Sequence, residues 1–424
     1  MSERQLRVIE ICAGAGGQAL GLEKAGFEHE LAIELDPNAV KTLRANRPGW
    51  KVEQGDVADP SVWNPADYAP SSQDLDREPI DLLAGGVPCP PFTIAGKQLG
   101  ANDERDLFAW AIKQVGVLQP RAVMLENVRG LSMRRFAAYR QHVLDELHGF
   151  GYIAEWKLLQ ASSFGVPQLR PRFVLIALRE EDAPYFHWPE PIGEPPTVGE
   201  TLRDLMASAG WEGADEWAEK AKGIAPTVVG GSKKHGGADL GPTRAKKAWG
   251  LLGVDALGVA NSAPPKGSKF VVGPKLTCEM VALIQGWKAA DEWTFEGGKT
   301  SVYRQIGNAF PPPVAEALGR AIKAALLHET EPVQRTRSVH DPVYQALRTS
   351  DAPLTLSQIA KATGIEIPVE DVERRLKHLE RDFEIDVIEG TRSSKYKLGE
   401  FRAFRGQEGH IRHQLFPKNI SKIS

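Results

Sequence analysis

Cysteine is scarce in this chain. Its 424 residues hold three, Cys12, Cys89 and Cys278. That is too few for a disulfide framework, and their spacing is not that of zinc ligands, so no metal is expected. No apolar run is long enough to span a bilayer. The amino terminus, MSERQLRVIEICAGAGG, shows no charged-then-apolar leader and passes straight into what reads as a buried strand. These absences predict a cytoplasmic protein without membrane association. Internal repeats are missing too. A net charge of -3 says little about partners, and 42% hydrophobic with 25% charged residues is ordinary globular composition. The length allows two or three packed domains.

The charge that is present is unevenly spread. Lys222, Lys233, Lys234, Arg244, Lys246, Lys247, Lys266, Lys269 and Lys275 face only Asp239 and Asp255 in the same stretch. Such an excess suits a phosphate backbone, and a merely solvated basic surface is the competing reading.

From Leu6 to about Ala177 short apolar runs alternate with helical stretches. LRVIEI, ELAIEL, IDLLAGG, AVMLEN and RFVLIAL read as strands. GQALGLEKAG, PNAVKTLRANRP, RDLFAWAIKQVGVLQP and FAAYRQHVLDELHGFG read as helices. This alternation predicts an α/β fold, a parallel sheet with helices on both faces, whose ligands sit beyond the carboxyl ends of the strands. The texture turns proline-rich near Pro184 and then Gly/Lys-rich. Helical spacing returns at KLTCEMVALIQGW, and PPPVAEALGRAIKAALLHE is a helix with Pro where a missing N–H costs nothing. Near His340 three helices and a hairpin follow, a winged-helix-like pattern. The domains are therefore placed at 1–183, 184–272, 273–330 (a return segment), 340–400 and a tail at 401–424.

Four segments carry chemistry. CAGAGG, Cys12 to Gly17, is a glycine-rich strand-to-helix turn that lets the backbone approach a ligand. Glu34 ends the second strand, where a carboxylate can accept from ribose hydroxyls. Asp56, in QGDV, could accept from an adenine amino group. Each acid has the competing reading of an ordinary helix cap. The G-x-G-x-x-G order is imperfect, so the spacing fits an adenosine-type cofactor better than a dinucleotide. Cys89 lies in GGVPCPPFTIAG, a proline-stiffened loop at the strand ends. A thiol needs a polarised setting to act as a nucleophile, and the bland alternative is a small buried hydrophobe. Glu126, in MLENVRG, could donate to a ring nitrogen if burial keeps it protonated. In FGVPQLRPRFVLIAL, Arg170 and Arg172 alternate, so a strand would put them on one face, suited to phosphate or a base carbonyl.

In this order the four segments, with LTCEMVALIQGW and YRQIGNAFPPPVAEALG, resemble the DNA cytosine-5 methyltransferase family, in its bacterial type II restriction-modification form. The resemblance spans about Leu6 to Leu178 and Lys275 to Leu326, and the segment between lies where the family keeps its target recognition domain. It implies a Rossmann-like, S-adenosylmethionine-dependent fold in which Cys89 attacks cytosine C6. Glu126 would pair with N3 and the exocyclic amine, Arg172 with O2, and Arg170 with a phosphate or as support. Ala13, Gly14, Gly16, Gly17, Glu34, Asp56, Val57, Leu107 and Asn308 would form the cofactor pocket. Gln168 falls in the family's Gln-x-Arg-x-Arg pattern and joins Lys233, Lys234, Arg244, Lys246 and Lys247 as expected DNA contacts. The implied partner is double-stranded DNA bound by a monomer in the bacterial nucleoid, with a cognate restriction endonuclease as functional counterpart. The chain departs from the pattern at Cys12, where the family has a Phe that stacks on the adenine, and at Pro90 and Thr93, where it commonly has Gln and Ser. Two rival readings are methylation of RNA and a non-catalytic DNA-binding role for residues 340–400.

Overall fold

The computed structural model describes residues 4–70, 78–88, 105–230, 238–335, 338–391 and 393–401. Its first region contains β1 (Leu6–Ile11), α1 (Gly17–Lys24), β2 (Phe27–Glu34), α2 (Pro37–Asn46), β3 (Val52–Gln54), β4 (Leu82–Gly85), α3 (Arg105–Leu118), β5 (Ala122–Val128), α4 (Ala137–Gly149), β6 (Tyr152–Gln160) and β7 (Pro171–Arg179). The strands form one seven-stranded sheet in the order β3-β2-β1-β4-β5-β7-β6. β1 to β5 run parallel, whereas β7 is antiparallel to both β5 and β6. The parallel sheet expected from the alternation is thus mostly parallel. The added edge strand, β6, had no sequence signal, because YIAEWKLLQ is only partly buried and lacks a clean apolar run.

Successive residues of the central strands feed opposite faces, as a period of two requires. Ile9, Leu83 and Leu125 pack on α3 and α4 through Phe108, Ile112, Tyr139 and Leu147. Their neighbours Val8, Leu82 and Met124 pack on α1 and on a late helix, Pro312–Leu326. Both faces are therefore dry, which is why these strands read as continuous apolar runs. α2 begins where sequence rules place it: the Asp36 side chain accepts from Asn38 N and Ala39 N, with Pro37 in the first turn.

Three short helices follow, α5 (Val198–Ala207), α6 (Ala214–Lys220) and α7 (Thr243–Leu251), and then α8 (Cys278–Gln285), α9 (Lys299–Asn308) and α10 (Pro312–Leu326). Leu202, Trp217, Trp249, Ile284, Trp287 and Tyr303 share one core across these two groups. α10 lies against α1 so closely that a Cβ on Gly21 would meet Pro312 O at 2.4 Å. The last unit comprises α11 (Pro342–Arg348), β8 (Leu354–Thr355), α12 (Leu356–Ala362), α13 (Val369–Leu379), β9 (Phe383–Ile388) and β10 (Lys395–Phe401), with sheet order β8-β10-β9. Its core runs into that of α4: His142 lies 4.3 Å from the Phe401 ring and 5.3 Å from Phe383, between centroids. Among the described residues no helix is long and apolar enough to cross a membrane.

Candidate active site

The turn after β1 needs left-handed backbone at Cys12 (φ 52), Gly14 (φ 57) and Gly16 (φ 86). Glycine reaches that region without penalty, and Cys12 does so at some cost. Glu34, at the end of β2, binds this turn directly: its carboxylate accepts from Gly14 N and from Asp36 N, both at 2.7 Å. Burial pushes the Glu34 carboxyl up, against these backbone hydrogen bonds. A Cβ on Gly14 would meet nothing within 4 Å, so an open face lies beside this carboxylate. Asp56 accepts from Ala58 N at 2.9 Å, a local turn bond. Val57 is buried beneath Trp63, whose indole N–H donates to Val57 O at 2.7 Å. Leu107 belongs to the same cluster as Val57 and Val87.

Trp293 had no sequence signal. Its indole N–H donates to Ala15 O at 3.1 Å, and a Cβ on Gly16 would lie 2.4 Å from its Cζ2. Gly16 is therefore required by space as well as by φ. On the far side of the turn, a Cβ on Gly17 would strike Phe310 O at 2.4 Å. The segment after α9 thus abuts the glycine-rich turn. Asn308 is exposed there, and a Cβ on Gly230 would come within 2.0 Å of its Oδ1.

A second group of residues gathers at the end of β5. Glu126 Oε2 lies 3.3 Å from Arg172 Nε. Among the described residues neither of these two buried atoms has a hydrogen-bond partner. Burial pushes the Glu126 carboxyl up, with Arg172 and then Arg170 opposing. A buried carboxyl with an unfilled oxygen beside a guanidinium is suited to a planar ligand carrying both a donor and an acceptor. Gly86 leaves that front open, since a Cβ there would sit 3.0 Å from Glu126 Oε1. Asn127 Nδ2 donates to Val87 O at 3.4 Å and ties β5 to the peptide that leads into Pro88. Cys89, and with it Pro90 and Thr93, lies outside the described residues, as do Lys233 and Lys234.

Gln168 and Arg170 both lie inside the protein. Gln168 was expected to contact DNA, but it is fully buried. Its Nε2 donates to Gln285 Oε1 at 2.7 Å and to Ile284 O at 3.2 Å, while its Oε1 accepts from Val228 N at 2.9 Å. Arg170 was expected as a phosphate contact or as support in the catalytic site, and at 1% exposed it is placed to support. It donates to Val228 O at 2.6 Å, Gly307 O at 2.8 Å and Ala309 O at 3.0 Å. The reason is local chemistry. α9 stops at Asn308 and Ala309 is already extended, so carbonyls 307 and 309 have no partner within the helix, and prolines 311 to 313 that follow have no N–H to offer. Arg170 supplies the missing donors, and Gln285 Nε2 adds one to Ala309 O at 2.6 Å. Sequence spacing could not show that these side chains turn inward. Of the expected basic contacts, Arg244 and Lys247 are exposed, and Lys246 is paired with Asp239 at 2.8 Å.

Comparison with known proteins places these sites in context. The family model for C-5 cytosine-specific DNA methylases matches residues 6–324. Type II methyltransferase M.NaeI of Lentzea aerocolonigenes is 63% identical over 422 residues, 99% of this chain and 100% of that protein. Type II methyltransferase M.NgoMIV of Neisseria gonorrhoeae is 49% identical over 329 residues, 77% of this chain and 99% of its own length. Among solved structures, a mutant of Spodoptera frugiperda DNMT2 matches with a TM-score of 0.51 at 17% identity, over 75% of this chain and 99% of the other, a likeness of fold.

Proposed function

The chain belongs to the family of C-5 cytosine-specific DNA methylases, and from that premise we propose how its residues divide the work. The enzyme transfers a methyl group from S-adenosylmethionine to C5 of a cytosine flipped out of a specific duplex sequence. In the bacterial cytoplasm it protects host DNA from a cognate restriction endonuclease. The observation that carries the residue roles is the buried Glu126–Arg172 pair at 3.3 Å, beside the Gly86–Pro88 peptide that leads into Cys89.

The glycine-rich turn fits the cofactor. Glu34 is anchored by two backbone N–H groups and can still accept from ribose hydroxyls through its remaining lone pairs. The open face over Gly14 admits the adenosyl group, with Val57 and Leu107 as apolar walls and Asp56 and Asn308 at the margins. When bound, S-adenosylmethionine supplies the methyl group, activated on a sulfonium.

The protein's own residues prepare the base. The Cys89 thiolate adds to C6, forming the sulfur–carbon bond and pushing an electron pair into the ring. Glu126, whose carboxyl burial pushes up against the opposing Arg172 and Arg170, gives a proton to N3 as that charge develops. The Arg172 guanidinium stabilises O2. C5 thereby gains the nucleophilic character that an aromatic pyrimidine lacks. Once C5 is substituted, a base removes the C5 proton, the S–C6 bond breaks to release Cys89 as thiolate, and the N3 proton returns to Glu126, which restores aromaticity. Flipping costs a few kcal/mol of unstacking, which phosphate contacts from Arg244, Lys247, Lys233 and Lys234 offset.

The test is methylation of duplex DNA with labelled cofactor, followed by bisulfite sequencing. Label at C5 of one cytosine in a short recurring site is the expected result. Label on tRNA and none on DNA would overturn the substrate assignment. Cys89→Ser should retain DNA binding and lose turnover.

A further inference from the structure

We propose that Arg304 is a phosphate-binding residue, whose guanidinium takes a backbone phosphate of the duplex where α9 meets the segment 228–230. This rests on the reading that duplex DNA presents its cytosine to Glu126 and Arg172.

Other cations around the site are already engaged. Arg170 gives its donors to Val228 O, Gly307 O and Ala309 O. Arg172 lies against Glu126. On α9 itself, Lys299 Nζ donates to Val259 O at 3.0 Å. Arg304 differs. It is half-buried, and its Nε is buried without a hydrogen-bond partner among the described residues. No ion pair engages it among the described residues, and α9, KTSVYRQIGN, contains no carboxylate. A charged donor kept from water and left unanswered is costly to the fold. Such a group persists where a ligand supplies the acceptor.

The position is tied to the site through Arg170. That side chain donates to Gly307 O on α9 at 2.8 Å, and its charge, with that of Arg172, acts on the Glu126 carboxyl. Arg304 comes one turn before Asn308 and shares its face of the helix. The segment 228–230 crosses this turn closely. A Cβ on Gly230 would lie 3.1 Å from Arg304 O and 2.0 Å from Asn308 Oδ1, and one on Gly307 would lie 2.6 Å from Gly230 Cα. Tyr303 OH donates to Asp239 O at 2.6 Å, and a Cβ on Gly241 would meet Val229 at 3.4 Å and Ala245 at 3.3 Å. The first turn of α7, with the exposed Arg244, therefore leans on the same segment. Asp239 is the one acid in these contacts, and its carboxylate is paired with Lys246 at 2.8 Å.

The ligand follows from chemistry. A guanidinium is planar, and its parallel donors match two oxygens of one anion. The reaction brings two such anions, the DNA phosphates and the carboxylate of the cofactor. Placement favours phosphate. The glycine-rich turn touches the chain beyond α9, where Gly17 abuts Phe310 O. Arg304 lies a full turn the other way from Asn308, and helical side chains lean toward the amino end, which carries its head farther from Gly17 and toward the part of the helix nearer Lys299.

The experiment compares the full-length enzyme with Arg304→Gln and Arg304→Lys. Duplex affinity is measured by fluorescence anisotropy over a salt series, S-adenosylmethionine affinity by calorimetry without DNA, and folding by the urea midpoint. Arg304→Gln should lower the log–log salt slope by about 0.9 and bind duplex roughly tenfold or more weakly, with parental cofactor affinity. Arg304→Lys keeps the charge without the fork, so it should restore the slope and recover part of the affinity. A slope and affinity unchanged in Arg304→Gln would overturn the proposal. Weaker cofactor binding with a parental slope would also overturn it and assign Arg304 to the cofactor carboxylate. Equal losses of DNA and cofactor binding with a lowered urea midpoint would assign it to packing alone. If the parent binds duplex but does not methylate it, while Arg304→Gln still flattens the slope, the functional reading fails and the phosphate contact stands.

Discussion

Protonating His142 should loosen the packing of the C-terminal unit on α4. The ring is 7% exposed and sits against Phe401 and Phe383. Burial, followed by the nearby Arg348 and Lys113, pushes its pKa down to about 3. An unfolded chain takes up this proton near pH 6.5, while the folded protein resists until about pH 3. The unfolded state therefore binds more protons throughout that window, and stability falls as pH drops through it. At pH 5 the unfolded histidine is about 1.5 pH units below its pKa, which at ~1.36 kcal/mol per unit is a loss of about 2 kcal/mol relative to neutral pH. The assay is urea unfolding of the parent and of His142→Phe at pH 7.5 and pH 5.0. Phenylalanine keeps a ring among the aromatic neighbours and removes the titration. The parent should lose about 2 kcal/mol more than the variant between the two pH values. Parallel losses would refute the argument. His340, pushed down to about 4 by burial and then Arg140, titrates in both proteins and cancels in the difference.

Other outcomes follow from the site. Arg170→Met should leave Val228 O and Gly307 O buried without donors and destabilise the protein by about 3 kcal/mol or more; a urea midpoint unchanged from the parent would mean that Arg170 is not the anchor described. Glu126→Gln should lower the methylation rate by ~10²-fold or more. In the parent, whose Glu126 carboxyl is raised by burial and must be protonated to act, the rate should fall as pH rises through that raised value, and the Gln variant should lack this limb. A pH profile shared by both proteins would remove Glu126 as the proton donor. Gly230→Ala should disrupt the packing against Asn308, and a variant with parental cofactor affinity and turnover would contradict the close approach.

Much of the sheet was legible because its strands are buried on both faces. LRVIEI, IDLLAGG and AVMLEN could hardly be anything else. The direction of β7 was not legible, since an apolar run looks the same in either orientation. β6 escaped notice because an edge strand carries a weak pattern. At the site, Glu126 and the Cys12 to Gly17 turn were readable as chain punctuation at strand ends. The roles of Gln168 and Arg170 were not. Polar residues in a Gln-x-Arg-x-Arg pattern look like surface ligands until the carbonyls left over at the end of α9 are seen to need donors. Trp293 was invisible for a related reason: it acts across 277 residues of chain, on Gly16.

The embrace of α1 by α10 bears on how the enzyme is made. Pro312 emerges from the ribosome about 290 residues after Lys24, a delay of roughly 15–60 s at ~5–20 residues per second. Until then Leu6, Val8 and Leu22 lack the helix that covers them in the finished protein. The nascent sheet therefore carries one uncovered apolar face through most of translation, and a catalytic floor whose turn at Gly17 has nothing to lean on. Completion of the pocket is a late, long-range event, slow for reasons of loop closure and open to capture by chaperones or by other nascent chains.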